Sequence, residues 1–142
     1  TRFKCDWSSD VCSSDLEDNE LLALSFKGTK ENAAGVSLYL SSFLSKNGIE
    51  ESRANRIAVA VEEMAANCAE RMEGKKKFAD IDIRIFADKK ETIISVRDNG
   101  DEFDPLNDDK EFEMSPLTVV KAISDKVEYS RVLGFNRTII KL

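Results

Sequence analysis

Histidine is absent from the 142-residue chain, and cysteine, proline and tryptophan are scarce, at three, two and one residues. Without histidine, a cysteine–histidine nucleophile pair and a cysteine–histidine zinc cluster are both excluded. No apolar run approaches the roughly twenty residues that a membrane-spanning helix needs. No charged-then-apolar leader opens the chain either. We therefore expect a cytoplasmic protein, or a domain on the cytosolic face of a membrane if it is part of a longer chain.

The balance of charge is acidic. The chain carries 21 lysine and arginine residues against 27 aspartate and glutamate residues, for a net charge of -6. Attraction to nucleic acid or to anionic lipid needs clustered basic side chains. The only basic run, residues 75–77, is short and is typical of a solvated loop. We expect no nucleic-acid partner and no direct insertion into a membrane.

The first sixteen residues differ from the rest of the chain. They are rich in serine and aspartate, show no sustained apolar period, and resemble the translated read-through of a sequencing adapter. We expect an artefactual, disordered leader at 1–16, followed by one domain at 17–142. Without the leader 19 basic and 24 acidic residues remain, and Cys68 is the one remaining cysteine. On its alanine-rich helix face, Cys68 is expected to be a small buried hydrophobe.

Apolar periodicity predicts eight elements in the remaining chain. Strands are expected at 21–27, 79–86, 92–97, 127–133 and 137–142. Helices are expected from a cap at Thr29 or Asn32 to a glycine stop at 47–48, from about 51 to 72, and at 117–123. An acidic loop at 104–114 separates the two halves. Because each element has one apolar side, we predict an α/β two-layer sandwich with helices on one face of a mixed, mostly antiparallel sheet.

Two polar residues on the second helix are candidates for chemistry. Glu63 and Asn67 are four residues apart, so their side chains lie on the same stripe, one turn from each other. Spacing alone allows two ordinary solvated side chains. It also allows a site in which Asn67 offers an amide oxygen to Mg²⁺ while Glu63 deprotonates a nucleophile beside a phosphate.

A second candidate stands at the end of the strand predicted at 92–97. Asp98 is followed by an asparagine and Gly100. The carboxylate is suited to accept from the exocyclic amine of a purine, and a glycine lets the backbone approach the ring. The same three residues are also typical of a strand-ending Asx or type I′ turn. The sequence leaves both interpretations open.

Taken together, these motifs resemble the histidine-kinase-like ATPase superfamily, also called the GHKL or Bergerat fold, and within it the small anti-sigma-factor serine kinases. The resemblance covers roughly residues 21–142. The helix motif Ala-Val-x-Glu-x-x-x-Asn is matched at 60–67, and the motif Asp-x-Gly-x-x-Phe-Asp-Pro at 98–105. A Gly-x-Asn before the last strand is matched by Gly134 and Asn136.

The resemblance implies a role for each matched residue. Glu63 resembles the general base, Asn67 the amide that holds Mg²⁺, and Asp98 the acid that recognises adenine. The implied cofactor-binding set also includes Arg71, Gly100 and Phe103. The implied cofactors are ATP and Mg²⁺. The implied partner is a protein, either a sigma factor or an anti-anti-sigma-like protein, and a homodimer is compatible with the resemblance.

Two departures from the family pattern weaken the expected nucleotide site. Arg71 stands where the family usually has histidine, and residues 111–117 lack the Gly-x-Gly whose backbone amides wrap phosphates. The region is also acidic. A carboxylate about 4 Å from a phosphate charge costs roughly 1 kcal/mol even at water-like screening. The acidic residues are Asp101, Glu102, Asp108, Asp109, Glu111 and Glu113. We expect weak, magnesium-dependent ATP binding, or none.

Three functions stay open at this point. The first is an anti-sigma-type protein kinase in which Glu63 deprotonates a serine of the partner. The second is a degenerate, non-catalytic protein-binding module, which Ser115 and Pro116 in the expected glycine segment favour. The third, the catalytic domain of a sensor histidine kinase, has less support because the chain has no histidine to accept phosphate. The non-catalytic module is also compatible with the cytosolic regulatory tail of a larger membrane protein.

Overall fold

The computed structural model describes residues 20–75, 77–88, 90–102 and 116–142. The predicted leader, Phe103, the acidic loop at 104–114 and Ser115 lie outside these residues. Five strands and three helices are present in the described part. The strands are β1 (Glu20–Lys27), β2 (Asp80–Ala87), β3 (Thr92–Asp98), β4 (Lys126–Val132) and β5 (Phe135–Lys141). The helices are α1 (Lys30–Lys46), α2 (Glu51–Arg71) and α3 (Pro116–Ile123).

The described strands form one sheet in the order β1-β2-β3-β5-β4. Every neighbouring pair is antiparallel. The short turns after β2 and β4 allow only that orientation, because parallel neighbours need a long crossover. The predicted α/β two-layer sandwich is confirmed, and its sheet is antiparallel where a mixed sheet was expected. β1 and β4 are the edge strands of this sheet.

The core lies between α2 and one face of the sheet. Along β2, the alternating residues Ile81, Ile83 and Ile85 are each 1% exposed or less, and they face the helices. Val96 lies opposite Ile83, and Ile94 lies opposite Ile85, so β3 continues the same apolar face. The buried stripe of α2 packs onto it. That stripe comprises Ala54, Ile57, Ala58, Ala60, Val61, Met64, Ala65, Asn67 and Cys68. Asn67 is the polar member of this stripe.

Helix ends follow the local chemistry of the sequence. Of the two predicted caps, Thr29 is the one used, because its Oγ1 accepts from the backbone nitrogen of Asn32 at 3.1 Å. Asn32 lies inside α1, where its Nδ2 donates to the Lys27 carbonyl. The predicted stop after α1 is confirmed at Gly48, whose φ of +84° suits a residue without a Cβ.

The closing hairpin differs from its prediction in a way that affects the site. Leu133 and Gly134 form the turn with φ angles of 51° and 82°, so β4 ends at Val132 and β5 begins at Phe135. β5 thus starts two residues earlier than the sequence predicted. Asn136 therefore lies within the strand, directly opposite Asp98 of β3. No helix in the described ranges is both long and apolar enough to cross a membrane.

Candidate functional site

The candidate site is centred on Asp98, the last residue of β3. This residue is only 4% exposed. Its Oδ1 accepts from the backbone nitrogen of Gly100 at 2.9 Å and from Asn136 Nδ2 at 3.0 Å. Its Oδ2 accepts from the Arg71 NH2 group at 3.3 Å. A buried carboxylate needs such donors, because its charge is otherwise costly to remove from water. The predicted Asx turn at Asp98 is real, and it orients the carboxylate.

Gly100 is required here by close packing. A Cβ at this position would lie 3.0 Å from Asp98 Oδ1 and 3.4 Å from the sulfur of Met72. A distance of 3.0 Å is tighter than nine in ten real Cβ contacts, so the carboxylate would have to shift by a few tenths of an ångström. The predicted need for glycine beside the acid is therefore consistent with the geometry.

Asn136 holds the other side of the acid. Its Nδ2 also donates to the Asp101 carbonyl at 2.7 Å. Its Oδ1 accepts from the Tyr129 hydroxyl at 2.6 Å and from the Arg131 NH1 group at 3.0 Å. The sequence analysis missed Tyr129 and Arg131. The signal that reveals them is the alternation of β4, which places both on the helix-facing side once the hairpin register is known.

Arg71, on the last turn of α2, joins the helix to the sheet. Its Nε donates to Asn67 Oδ1 at 2.9 Å, and its NH1 donates to the Asp101 carbonyl at 3.0 Å. Arg71 also forms an ion pair with Asp98, and the two side chains are 14% and 6% exposed. The guanidinium therefore bridges two buried acceptors, Asn67 Oδ1 and Asp98 Oδ2. The structure therefore brings together Asn67, Arg71, Asp98 and Gly100 of the predicted set.

Glu63 lies one turn before Asn67 and is half-buried. Burial raises its pKa above the usual value, and the neighbouring charge of Glu62 raises it further. No hydrogen bond or ion pair within the described residues links Glu63 to the network around Asp98. The predicted base is therefore on the same helix stripe as Asn67 but is not joined to the acid. Phe103, the remaining predicted residue, lies outside the described part of the chain.

Asn67 is the residue expected to bind Mg²⁺ here. Mg²⁺ takes six oxygen ligands at about 2.0–2.1 Å. Within the residues that the structure describes, no group of three or more acidic, cysteine or histidine side chains is arranged to hold a metal. The predicted ligand, Asn67 Oδ1, already accepts from the cationic Arg71 side chain. In this arrangement Asn67 Oδ1 is engaged by Arg71, and the implied role of Asn67 as a magnesium ligand stays a prediction.

Cys68 lies behind the site and is 1% exposed. Burial raises the pKa of its thiol to about 12, with a smaller contribution from the charge of Asp98. A thiol of this kind stays protonated and unreactive near neutral pH. The prediction that Cys68 is a small buried hydrophobe is confirmed.

Comparison with known proteins decides the family. The family model for the histidine kinase-like ATPase domain matches residues 26–142. The chain belongs to this family. Among solved structures, it is similar to the RsbU and RsbW domains of Rv1364c from Mycobacterium tuberculosis, with a TM-score of 0.59 and 17% sequence identity. No protein with a curated description matches.

The structural match covers 85% of this chain and 32% of the matched chain, so this chain spans about a third of the length of that one. At this identity the match shows a shared fold. The family match spans Asn67, Asp98 and Gly100, and their roles in nucleotide binding stay predictions.

Proposed function

We propose that this histidine kinase-like ATPase domain binds ATP, with Asp98 accepting from the exocyclic amine of adenine. The observation that carries the proposal is the buried Asp98 carboxylate, 4% exposed and held by donors from three different elements or turns. An ionised carboxylate has about four acceptor positions, so one further donor fits beside the three described.

The finer proposal is a serine or threonine protein kinase of the anti-sigma-factor type. Glu63 would take the proton from a partner hydroxyl while that oxygen attacks the γ-phosphorus, and the bond to ADP breaks. The raised pKa of Glu63 strengthens it as a base. The RsbW domain in the similar Rv1364c structure supports the assignment to this group. The proposed partner is a sigma factor or an anti-anti-sigma-like protein, and self-association into a homodimer is open to test by light scattering.

A second candidate is a domain that keeps the fold and a partner surface without phosphoryl transfer. The observation that favours it is the engagement of Asn67 Oδ1 by Arg71, together with the separation of Glu63 from the hydrogen-bonded network. Such a module would bind its partner whether or not nucleotide is present. The kinase is preferred because Asn67, Arg71, Asp98 and Gly100 of the expected nucleotide-binding set lie together in one hydrogen-bonded cluster.

The test compares three forms of the full chain with radiolabelled ATP and a serine-containing anti-anti-sigma-type protein. Glu63→Ala should lose phosphoryl transfer while its affinity for ATP stays within about threefold, because general-base groups contribute about 10²–10⁴ to the rate. The matched control is Glu62→Ala, which removes the neighbouring half-buried acid. It should retain transfer. Transfer by Glu63→Ala would contradict the base assignment, and ATP binding without transfer by any form would favour the non-catalytic module.

A further inference from the structure

We infer that the Arg71 guanidinium is the positively charged group that occupies Asn67 Oδ1, and that it prevents this domain from using Asn67 as a magnesium ligand. The inference rests on the proposed ATP-binding function and deepens it. It differs from the sequence expectation, in which Asn67 holds Mg²⁺ and nucleotide binding depends on the metal. The residue at position 71 then decides whether the site gains a metal contact.

The first argument is how firmly the guanidinium is held. Arg71 donates to Asn67 Oδ1, to the Asp101 carbonyl and to Asp98 Oδ2. Asn67 is 8% exposed and Asp98 4% exposed. Withdrawing the guanidinium would leave a buried amide oxygen without this donor and a buried carboxylate without its counter-charge. Removing the guanidinium is strongly unfavourable, because the amide oxygen and the carboxylate would then be buried without this partner to replace water.

The second argument is what a metal would need. Mg²⁺ requires its oxygen ligands at about 2.0–2.1 Å in a near-octahedral shell, and it gives up water reluctantly. The Asn67 oxygen is instead engaged by an N–H 2.9 Å away, on a group that carries a full positive charge. A divalent cation at the same oxygen would face that charge at close range. The like charges repel, so the arginine and the metal exclude each other at Asn67.

The consequence is a defined substitution experiment. Full-length chain is titrated with a non-hydrolysable ATP analogue by calorimetry, once with excess Mg²⁺ and once with a chelator. The magnesium effect is the dissociation constant measured with the chelator divided by the dissociation constant measured with Mg²⁺. Arg71→Ala should increase this magnesium effect about tenfold over the unmodified chain, which corresponds to ~1.4 kcal/mol. The double variant Arg71→Ala/Asn67→Ala should lose the increase, because the freed oxygen is gone.

Arg131→Gln is the matched control. Arg131 lies in the same network, with NH1 3.2 Å from the Gly100 carbonyl and 3.0 Å from Asn136 Oδ1, and no hydrogen bond among the described residues joins it to Asn67. Its loss removes a nearby positive charge without freeing the amide oxygen. The magnesium effect should then match that of the unmodified chain. An equal increase in this control would overturn the inference in favour of general charge neutralisation.

A measurement on the unmodified chain covers the case in which the variants fail to fold. The Arg71 Nε–Hε resonance is followed by ¹⁵N NMR during titration with MgCl₂ and the ATP analogue. It should keep a hydrogen-bonded position at saturation, whereas loss of that position on adding Mg²⁺ would overturn the inference. If the unmodified chain and Arg71→Ala both fail to bind the analogue, the proposed function fails. Binding with no gain in the magnesium effect defeats the Arg71 inference alone.

Discussion

Asn136 Nδ2 donates a hydrogen bond to Asp98 Oδ1 at 3.0 Å, and the two residues face each other across the β3–β5 pair. The bond joins residues 38 positions apart in the chain. The amide also donates to the Asp101 carbonyl, so one side chain fixes both the acid and the turn after it. The geometry of the candidate site therefore depends on the closing hairpin as much as on α2.

Asn136→Ala should lower the free energy of unfolding by about 1–3 kcal/mol, because a buried charged acceptor loses a donor. Chemical denaturation followed by circular dichroism measures this loss. The control is Asn55→Ala, which removes a hydrogen bond from Ser41 at an exposed position. Exposed substitutions of this kind usually change stability by no more than about 0.5 kcal/mol. Equal losses in the two variants would show that the Asn136 bond has no special weight.

Substitution of two glycines by alanine should change the stability of the fold in opposite directions. Gly100→Ala should destabilise the fold by about 1–3 kcal/mol, because its Cβ would meet the Asp98 carboxylate at 3.0 Å. Gly35, inside α1, has nothing within 4 Å of an added Cβ. Gly35→Ala should therefore stabilise the chain by about 0.5–1 kcal/mol, since alanine is the better helix former. Thermal unfolding of both variants checks the pair, and a stabilising Gly100→Ala would contradict the packing described.

Glu63→Gln tests the raised pKa of Glu63. Because burial raises the folded-state pKa of Glu63 above its ordinary value of 4.5, folding favours the protonated form. The charged form is penalised above that pKa, so this contribution to stability is lost as the pH rises through it. Glu63→Gln should thus match the unmodified chain below pH 4.5 and be the more stable form near neutral pH.

Urea denaturation at several pH values measures the difference. Glu70→Gln, at an exposed position of the same helix, controls for simple removal of a negative charge. A Glu63→Gln advantage that is constant with pH, or that grows toward acid, would contradict the assignment.

Leu133 is strained at the tip of the β4–β5 turn. It has a φ of 51° and is 92% exposed, so it takes a left-handed conformation without burying its side chain. Asparagine tolerates this region better than leucine, which pays about 1–2 kcal/mol there. Leu133→Asn should therefore raise the melting temperature. Val132→Asn, at the neighbouring strand position, should lower it because a β-branched strand residue is lost. A lower melting temperature for Leu133→Asn would contradict the strain.

The sequence predicted the layers of this fold well. The alternating isoleucines at 81, 83 and 85 indicate one apolar face of a strand, and the periodic stripe of α2 indicates one apolar face of a helix. These two faces pack against each other in the core. Glycine at 48 and the hydroxyl at Thr29 marked helix ends by local chemistry alone. Helix and strand ends were correct to within about two residues, as expected for boundaries.

The site was only partly predictable, because its contacts depend on strand register. Asp98 and Asn67 were found from local motifs, yet the engagement of Asn67 by Arg71 depends on how α2 crosses the sheet. Asn136 was matched by a motif, but its partner became evident only with the β3–β5 register. Tyr129 and Arg131 follow from the same register. Long-range pairing of this kind leaves little trace in local patterns.

The central claim is that Asp98 reads the exocyclic amine of adenine, and one titration tests it most directly. The chain is titrated by calorimetry with ATP and with ITP, which carries an oxygen in place of that amine. We predict saturable ATP binding that is at least about tenfold tighter than ITP binding, since a buried acceptor facing an oxygen loses a hydrogen bond. Equal affinity for the two nucleotides, or no saturable binding of ATP, would contradict the account.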